Sequence, residues 1–426
     1  DFYQRGCSLV EHSEDIALLN HKISASTSSI KNYAIAPTPK IYHIEYQLEI
    51  SRHMKKFLRR LMRFSQAKKV WRLPRRQDLL ILDREGSKTI ELCLLGHSDY
   101  DIIDVRGESI NIPVLLISLV TKHCYFYWLI RLAQAEYLIT LIDTNIHYLR
   151  ELPSKVKSFI VQNGNRDATF LGWSSRPKIT YYFAQSEHLR PLVEKVYEAN
   201  FIVSGSINNN NYAVAEHKKI TKVQWISQFR SHRHGIQVGM KKITYTDFFE
   251  KPDRFALQCV TKFCKINDLT FEVLSVTSSE QEKDYYEKMI EMPFKFLEND
   301  RSLDSKNSYF ALSSNAIIVG IDSTLLYEAV GRRFRVAFLS LRSQYINDSS
   351  YRFGWPKKTH DVGPFWCNIP DEVAIFQILE YLFRVSEKEW QQQRKKYSEI
   401  SFHDFGNQKI KQILQEEGVQ IANHFD

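Results

Sequence analysis

Of 426 residues, 43% are hydrophobic and 25% charged, the balance of a globular chain able to bury a large core, which excludes a disordered, fibrous or collagen-like protein. At about 150 residues per domain the length predicts two packed domains as the default, and 15 Gly with 12 Pro are too few for a linker-dominated chain. Net charge is +9, yet Arg52, Lys55, Lys56, Arg59, Arg60, Arg63, Lys68, Lys69, Arg72, Arg75 and Arg76 fall in one carboxylate-free stretch, leaving the remainder near 9 − 11 = −2.

Residues 1–40 read as a loosely structured lead-in, with Ser24 to Ser29 and Pro37-Thr38-Pro39 as markers. The start, Asp1-Phe2-Tyr3-Gln4, lacks the basic then apolar pattern of a leader. The six cysteines form no CxxC pair and no zinc spacing, so a reducing cytoplasm is the expected compartment. Within 52–76, Met54, Phe57, Leu58, Leu61 and Phe64 recur at helical spacing among the basic residues, which predicts a basic amphipathic helix. Such a helix can lie peripherally on an anionic membrane face, bind another polyanion, or simply be a solvated helix docked by its apolar stripe. Nucleic acid is not expected, because no RNP-like aromatic motif, zinc finger or Gly-rich nucleic-acid loop accompanies the charge.

Short apolar runs of buried-strand type follow at Asp78–Leu82, Tyr137–Ile142, Ser158–Val161 and Asn200–Val203, with helical segments between them at Ile112–Ala135 and Ser186–Ala199. This spacing predicts an α/β sheet, largely parallel. The apolar stretch from Ile112 is interrupted by Lys122 and His123 and is too short for a spanning helix, so it reads as core. The polar stretch Ser206–Lys219, with four asparagines at 208–211, marks a boundary between an N-terminal domain (41–217) and a second one (218–385). There the strands Lys222–Ser227, Leu269–Val276, Ala316–Val319 and Arg335–Leu339 alternate with helices Arg254–Asn267, Glu280–Met289 and Thr324–Val330, a nucleotide-fold pattern. Helical segments from Asp371, with 386–426 expected to pack back over the other domain, complete the chain.

Val319-Gly320-Ile321-Asp322-Ser323-Thr324 is a strand ending in a polar turn that opens a helix. Free backbone N–H groups and the helix dipole there would hold a phosphate, with Glu328 one turn on reaching a ribose hydroxyl; equally, Ser323 is an ordinary N-cap. Gln162-Asn163-Gly164 and Asp143-Thr144-Asn145 sit at strand carboxyl edges, where open α/β sheets bind ligands. Trp355 and Trp366, in Gly-Pro loops, either stack on a sugar or base or anchor the loop to the core. No phosphate loop of Walker type, GxGxxG, GxSxG or HExxH occurs, and Asp99-Tyr100-Asp101 is the sole Asp-x-Asp. A metal-independent site, with no cofactor, is therefore expected.

Taken together, Asp143-Thr144-Asn145, Gln162 to Arg166, Ser204-Gly205-Ser206, Ile226 to Arg230, Asp322 to Ala329, Phe353 to Pro356 and Gly363 to Trp366 resemble a family of bacterial surface-carbohydrate biosynthesis transferases over roughly residues 78–390. That family is similar to GT-B glycosyltransferases and, more distantly, to retaining β-Kdo transferases. The resemblance implies two Rossmann-like domains facing across a cleft, with C-terminal helices crossing back. It also implies a nucleotide sugar (CMP-Kdo or a UDP/GDP sugar) held by Gly320, Ser323, Thr324 and Glu328. By the same resemblance Gln228 and Arg230 face the donor, Asp143, Gln162 and Asn163 line the opposite wall, and Gly164, Ser204, Trp355 and Trp366 are further substrate contacts. The retaining enzymes use a carboxylate on an early loop of the nucleotide domain, but Ser227–Thr246 contains neither Asp nor Glu. The catalytic carboxylate would then be Asp247 or Asp143, or the reaction inverts with a general base, and Arg230 stabilises the leaving phosphate. The expected activity is glycosyl transfer to a lipopolysaccharide or other surface glycan acceptor, in the cytoplasm and peripherally at the inner-membrane face. The rivals are a sugar-nucleotide epimerase or hydrolase of the same fold and a non-catalytic carbohydrate or polyanion-binding module.

Overall fold

The computed structural model describes residues 64–422 apart from 97, 122, 146–147, 165–175, 217, 232–235, 239–240 and 299–306. By packing, the described residues form two compact units: those within 64–90, 98–160 and 177–180 in one, and those within 91–96, 161–176 and 181–422 in the other. The stretch 206–219 therefore lies inside the second unit.

The first sheet is built from β2 (Leu79–Leu82), β3 (Asp101–Ile103), β5 (Tyr137–Thr140), β6 (Lys157–Val161), β7 (Lys178–Ala184) and β8 (Glu198–Val203), in the order β3-β2-β5-β6-β7-β8. All four residues of β2 are buried, as a strand paired in parallel on both sides requires: Ile81 is in register with Ile102 and with Ile139. A separate parallel pair joins β1 (Lys68–Val70) to β4 (Ser109–Asn111).

The predicted helix Ile112–Ala135 is two helices, α2 (Ile112–Val120) and α3 (Tyr125–Ala133), after a first short helix α1 (Arg84–Ile90). The break is chemical: Thr121 is extended, its hydroxyl accepts from Trp128 Nε1 at 2.6 Å, and the Cys124 N–H donates to Glu151 at 3.1 Å. The segment 186–199 is likewise shorter in helix than expected. Only α4 (Arg190–Val196) forms, because Tyr197 turns extended and Glu198 already starts β8. Of the basic run, 52–63 lie outside the described residues. Residues 64–66 are helical, but from Lys68 the chain is strand and then irregular, since the apolar period stops at Phe64 and Pro74 interrupts any helix.

In the second unit β9 (Lys222–Ile226), β12 (Thr270–Leu274), β13 (Phe294–Leu297), β14 (Ala316–Gly320), β15 (Arg335–Leu339) and β16 (Trp366–Cys367) form a sheet in the order β13-β12-β9-β14-β15-β16, parallel throughout. The chain builds one half outward from β9, then crosses back to build the other from β14. The strand order thus reverses between β9 and β14, the arrangement of doubly wound nucleotide folds. A short hairpin, β10 (Ile236–Val238) with β11 (Lys241–Ile243), follows β9. Helices α5 (Lys251–Ile266), α6 (Glu280–Glu287), α7 (Asn307–Ala311), α8 (Thr324–Gly331) and α9 (Arg342–Tyr345) connect the strands. On α5, Ala256, Val260 and Phe263 are buried at helical spacing.

Three helices end the chain: α10 (Glu372–Arg384), α11 (Glu387–Lys395) and α12 (Gln408–Glu416). Asp371 caps α10 through the Ala374 N–H, and α11 opens with a Ser386/Glu389 capping box. The Arg335 guanidinium on β15 donates to the carbonyls of Leu382 and Val385, tying the end of α10 to the sheet. Beyond α11 the chain returns to β7 and β8: Asn407 is fully buried and bonds Ile207 O and Asn210, Lys409 Nζ donates to Val203 O, and Tyr181 donates to Glu417.

Candidate functional site

The carboxyl edges of β9, β12, β14 and β15 open onto a cavity of about 630 Å³ lined wholly by the second unit. Each strand hands its next residues to the wall: Ser227, Gln228 and Arg230 after β9, Ser275 and Val276 after β12, Asp322 to Leu325 after β14, and Arg342 after β15. Further lining comes from Gln162, Asn163 and Gln185 beside β6 and β7, from Ser206 to Asn208, from Ser308 and Tyr309, and from Ser350 to Arg352. A parallel sheet makes this edge the natural ligand position, because every strand's following loop starts there.

One buried carboxylate shapes two of these loops. Glu282, on α6, accepts from Ser227 Oγ (2.5 Å), from the N–H groups of Val276 (2.8 Å) and Thr277 (2.7 Å), and from Thr277 Oγ1 (2.7 Å). Ser227 Oγ in turn accepts from the Phe229 N–H. The four bonds fasten the β9 and β12 loops to one helix.

The charge of the cavity is set by arginines. Arg342 is 3% exposed, donates from Nε to Phe248 O at 2.8 Å and from Nη1 to Asp322 at 2.5 Å, and its cation lies 4.7 Å from the Phe248 and Phe249 rings. Its Nη2 is buried without a hydrogen-bond partner. Arg230 is exposed at the rim, and Arg352 is held by Thr359 O and Asp361. Against these three cations the wall carries two carboxylates, Asp322 and Glu328. Asp322 is paired with Arg342 and Arg352 with Asp361, which leaves Arg230 at the rim and the buried Glu328 on the wall.

Ser323 does cap α8, accepting from the Leu325 N–H at 3.3 Å, and Ser323 and Thr324 both line the cavity. The N-cap and the ligand position are therefore the same place. Glu328 lies on the wall one turn in, 7% exposed; it accepts from Tyr309 at 3.0 Å, and burial raises its carboxyl, with Ser206, Tyr309 and Arg332 opposing that rise. Tyr327 beside it stacks on His188, whose buried imidazole is pushed down to about 4 by desolvation.

Of the residues singled out in the sequence, Gln162, Asn163, Gln228, Arg230, Ser323, Thr324 and Glu328 line this cavity together. The others stand elsewhere. Gly320 ends β14, where a Cβ would come within 3.2 Å of Leu326 and 3.4 Å of Ile226 O. The Gly164 carbonyl accepts from Gln162 Nε2 at 2.6 Å, and Ser204 is buried with its hydroxyl toward Ala184 O. Trp366 is 2% exposed, stacked on Phe353, with Nε1 donating to His360 O; Trp355 is half-buried. Asp247 gives its carboxylate to Lys251 and Thr244, which lower its pKa, while the next residue, Phe248, lines the wall. Asp143 is 1% exposed after β5, in the first unit. The sequence reading missed Arg342, Ser275, Tyr309 and Gln185. Ser275 and Gln185 directly follow strands and Arg342 lies three residues past one, a legible signal; Tyr309 carries none.

Among the described residues no group of three or more His, Cys, Asp or Glu could hold a metal ion, and no helix is long and apolar enough to cross a membrane. Residues 159–418 match a family model described as "putative O-antigen biosynthesis protein". No curated protein matches. Solved structures similar in chain trace include the MnaA–UDP co-structure from S. aureus (12% identity, 84% of this chain and 100% of that one, TM-score 0.46). The wall teichoic acid polymerase TagF is similar at 10% identity over 88% and 98%, TM-score 0.46. A UDP-GlcNAc 2-epimerase of Methanocaldococcus jannaschii in complex with UDP-GlcNAc and UDP is similar at 12% over 79% and 99%, TM-score 0.44. None of these three reaches a TM-score of 0.5.

Proposed function

The chain belongs to the O-antigen biosynthesis family matched over residues 159–418, and on that premise we propose that it is a glycosyltransferase of surface-glycan assembly that uses a nucleotide-sugar donor. The observation that carries this reading is the cavity at the point of strand reversal, whose wall includes the capped start of α8 together with Arg230 and Arg342. A donor phosphate lies over Ser323 and Thr324, its charge met by backbone N–H groups and by Arg342 and Arg230. Glu328 takes a ribose hydroxyl by exchanging its bond from Tyr309. Gln162 and Asn163 face the transferred sugar.

In the reaction the acceptor hydroxyl attacks the anomeric carbon, the bond from that carbon to the phosphate oxygen breaks, and the leaving phosphate gains charge. Arg342, Arg230 and the α8 dipole offset that charge as it develops, which lowers the barrier rather than the ground state. A carboxylate takes the proton of the acceptor hydroxyl; of the two candidates, Asp247 binds Lys251 and Thr244, and Asp143 belongs to the first unit.

The test is a calorimetric and thermal-shift titration with CMP, CDP, UDP, GDP and ADP without added metal, followed by donor turnover with and without a glycan acceptor. Selective stabilisation by one nucleotide and turnover that needs the acceptor are the expected results. Turnover without acceptor makes the protein an epimerase or hydrolase, and no nucleotide binding removes the transferase reading. Asn replacements at Asp143 and at Asp247 decide between them: the one that serves as base should lose turnover by roughly 100-fold or more with nucleotide affinity kept, the scale of general-base catalysis.

A further inference from the structure

Helix α2 has the sequence Ile112-Pro113-Val114-Leu115-Leu116-Ile117-Ser118-Leu119-Val120, with no charged residue. Val114 and Ser118 face the core, while Leu116, Leu119 and Val120, spaced i, i+3, i+4, are 58%, 51% and 85% exposed. A helix face turned to water is ordinarily polar, and single exposed apolar residues are common, but a continuous apolar face marks a contact. Two more exposed apolar side chains, Trp71 at 74% and Leu73 at 55%, flank Arg72. That segment is fixed at the start of α2: Val70 is in register with Asn111, whose Nδ2 donates to Arg72 O at 2.8 Å and whose Oδ1 caps α2 through the Val114 N–H at 3.1 Å.

The same segment is basic. Lys68, Lys69, Arg72, Arg75 and Arg76 lie within nine residues that contain no carboxylate. We infer that the exposed face of α2, with Trp71 and Leu73, docks on an anionic lipid bilayer, the apolar side chains entering the interface and the basic residues meeting lipid headgroups. Charge selects this occupant over a second copy of the chain: a two-fold pairing of the face would set the basic run against itself, whereas an anionic bilayer satisfies apolar and charged residues at once. A tryptophan between basic residues suits the interface, where its ring is apolar and its N–H stays hydrated. The surface is independent of the nucleotide cavity, so failure of either reading leaves the other standing.

Vesicle co-sedimentation of the full chain tests it, with phosphatidylglycerol/phosphatidylcholine vesicles against phosphatidylcholine alone. The expected result is binding to the anionic vesicles that weakens with salt, and a loss of about tenfold or more in the uncharged triple variant Leu116→Ser, Leu119→Ser, Val120→Ser, from the apolar area removed, with melting temperature and nucleotide titration unchanged. Brominated lipid should quench a part of the fluorescence that Trp71→Phe removes; this readout needs no α2 variant and decides the matter if the triple variant misfolds. No binding by the wild type, equal binding by the triple variant, or no Trp71-dependent quench overturns the proposal. So does a wild-type dimer in sedimentation velocity that the triple variant dissolves, which would make the face a contact between copies.

Discussion

Arg342, on the cavity wall, spends two of its nitrogens on Asp322 and Phe248 O, and the third, Nη2, is buried without a hydrogen-bond partner. Arg342→Met should weaken nucleotide binding by roughly 10- to 100-fold, the range for one charged hydrogen bond, measured by calorimetric titration. Arg342→Lys should not restore it, because a single ammonium cannot reach Phe248 O, Asp322 and ligand from one point. A second pair of residues fixes pH dependence. Burial raises the Asp253 carboxyl to about 6, against the pull of Arg342 and the bond from Tyr285. The folded form therefore binds its proton more tightly than the unfolded one, and stability is lost as pH rises from about 4 through 6, on the order of 3 kcal/mol. His188, lowered to about 4, acts with the opposite sign, its contribution lost as pH falls from 6.5 toward 4. In urea unfolding at stepped pH, the stability of Asp253→Asn relative to wild type should climb between pH 4 and 6 and then level off. A difference that stays flat with pH would remove the buried carboxylate as its cause. At this scale the sequence exposes Ser323 and Thr324, since an N-cap after an apolar strand is a local pattern. The position of Arg342 past a strand is legible, but its burial is not, since its partners are Asp322, 20 residues away, and Phe248 O, 94 residues away.

Among elements, α6 holds two cavity loops through one side chain. Replacing Glu282 by Ala strands the N–H groups of Val276 and Thr277 and frees Ser227, so a loss of about 3 kcal/mol in denaturant unfolding is expected. Glu282→Gln, which can still accept at one oxygen, should lose less and should weaken nucleotide affinity before it lowers the melting temperature. Strands that are apolar throughout, β2 and β14, are legible because a strand buried on both faces needs an unbroken apolar run. Short edge elements such as β3, β13 and β16 are not, because two to four residues carry no period and their pairing comes from the neighbour already in place. The break between α2 and α3 is hidden for a related reason: 112–135 is helix-compatible throughout, and the side chains of Trp128 and Glu151 end the first helix.

For the whole molecule, the return of the C-terminal segment is held by Asn407, fully buried, which donates to Ile207 O and accepts from Asn210. Asn407→Leu should lower stability by about 2–4 kcal/mol, since it strands buried partners, and a melting temperature within a degree of wild type would show that the segment is only loosely attached. The sequence alone determined the α/β class, two domains' worth of parallel strands, the capped start of α8 and a charge excess confined to 52–76. All of these are local: composition, periodicity and capping act over a few residues and survive without a fold around them. Tertiary structure alone decided that β9 and β14 are neighbours, and therefore that Gln228, Ser323 and Arg342 share one wall. It also decided that Trp366 is core and that the apolar face of α2 is left uncovered among the described residues. Those facts depend on which distant strands pair and which helix faces find a partner, and that follows from the summed burial of the whole chain, which no short window of sequence contains.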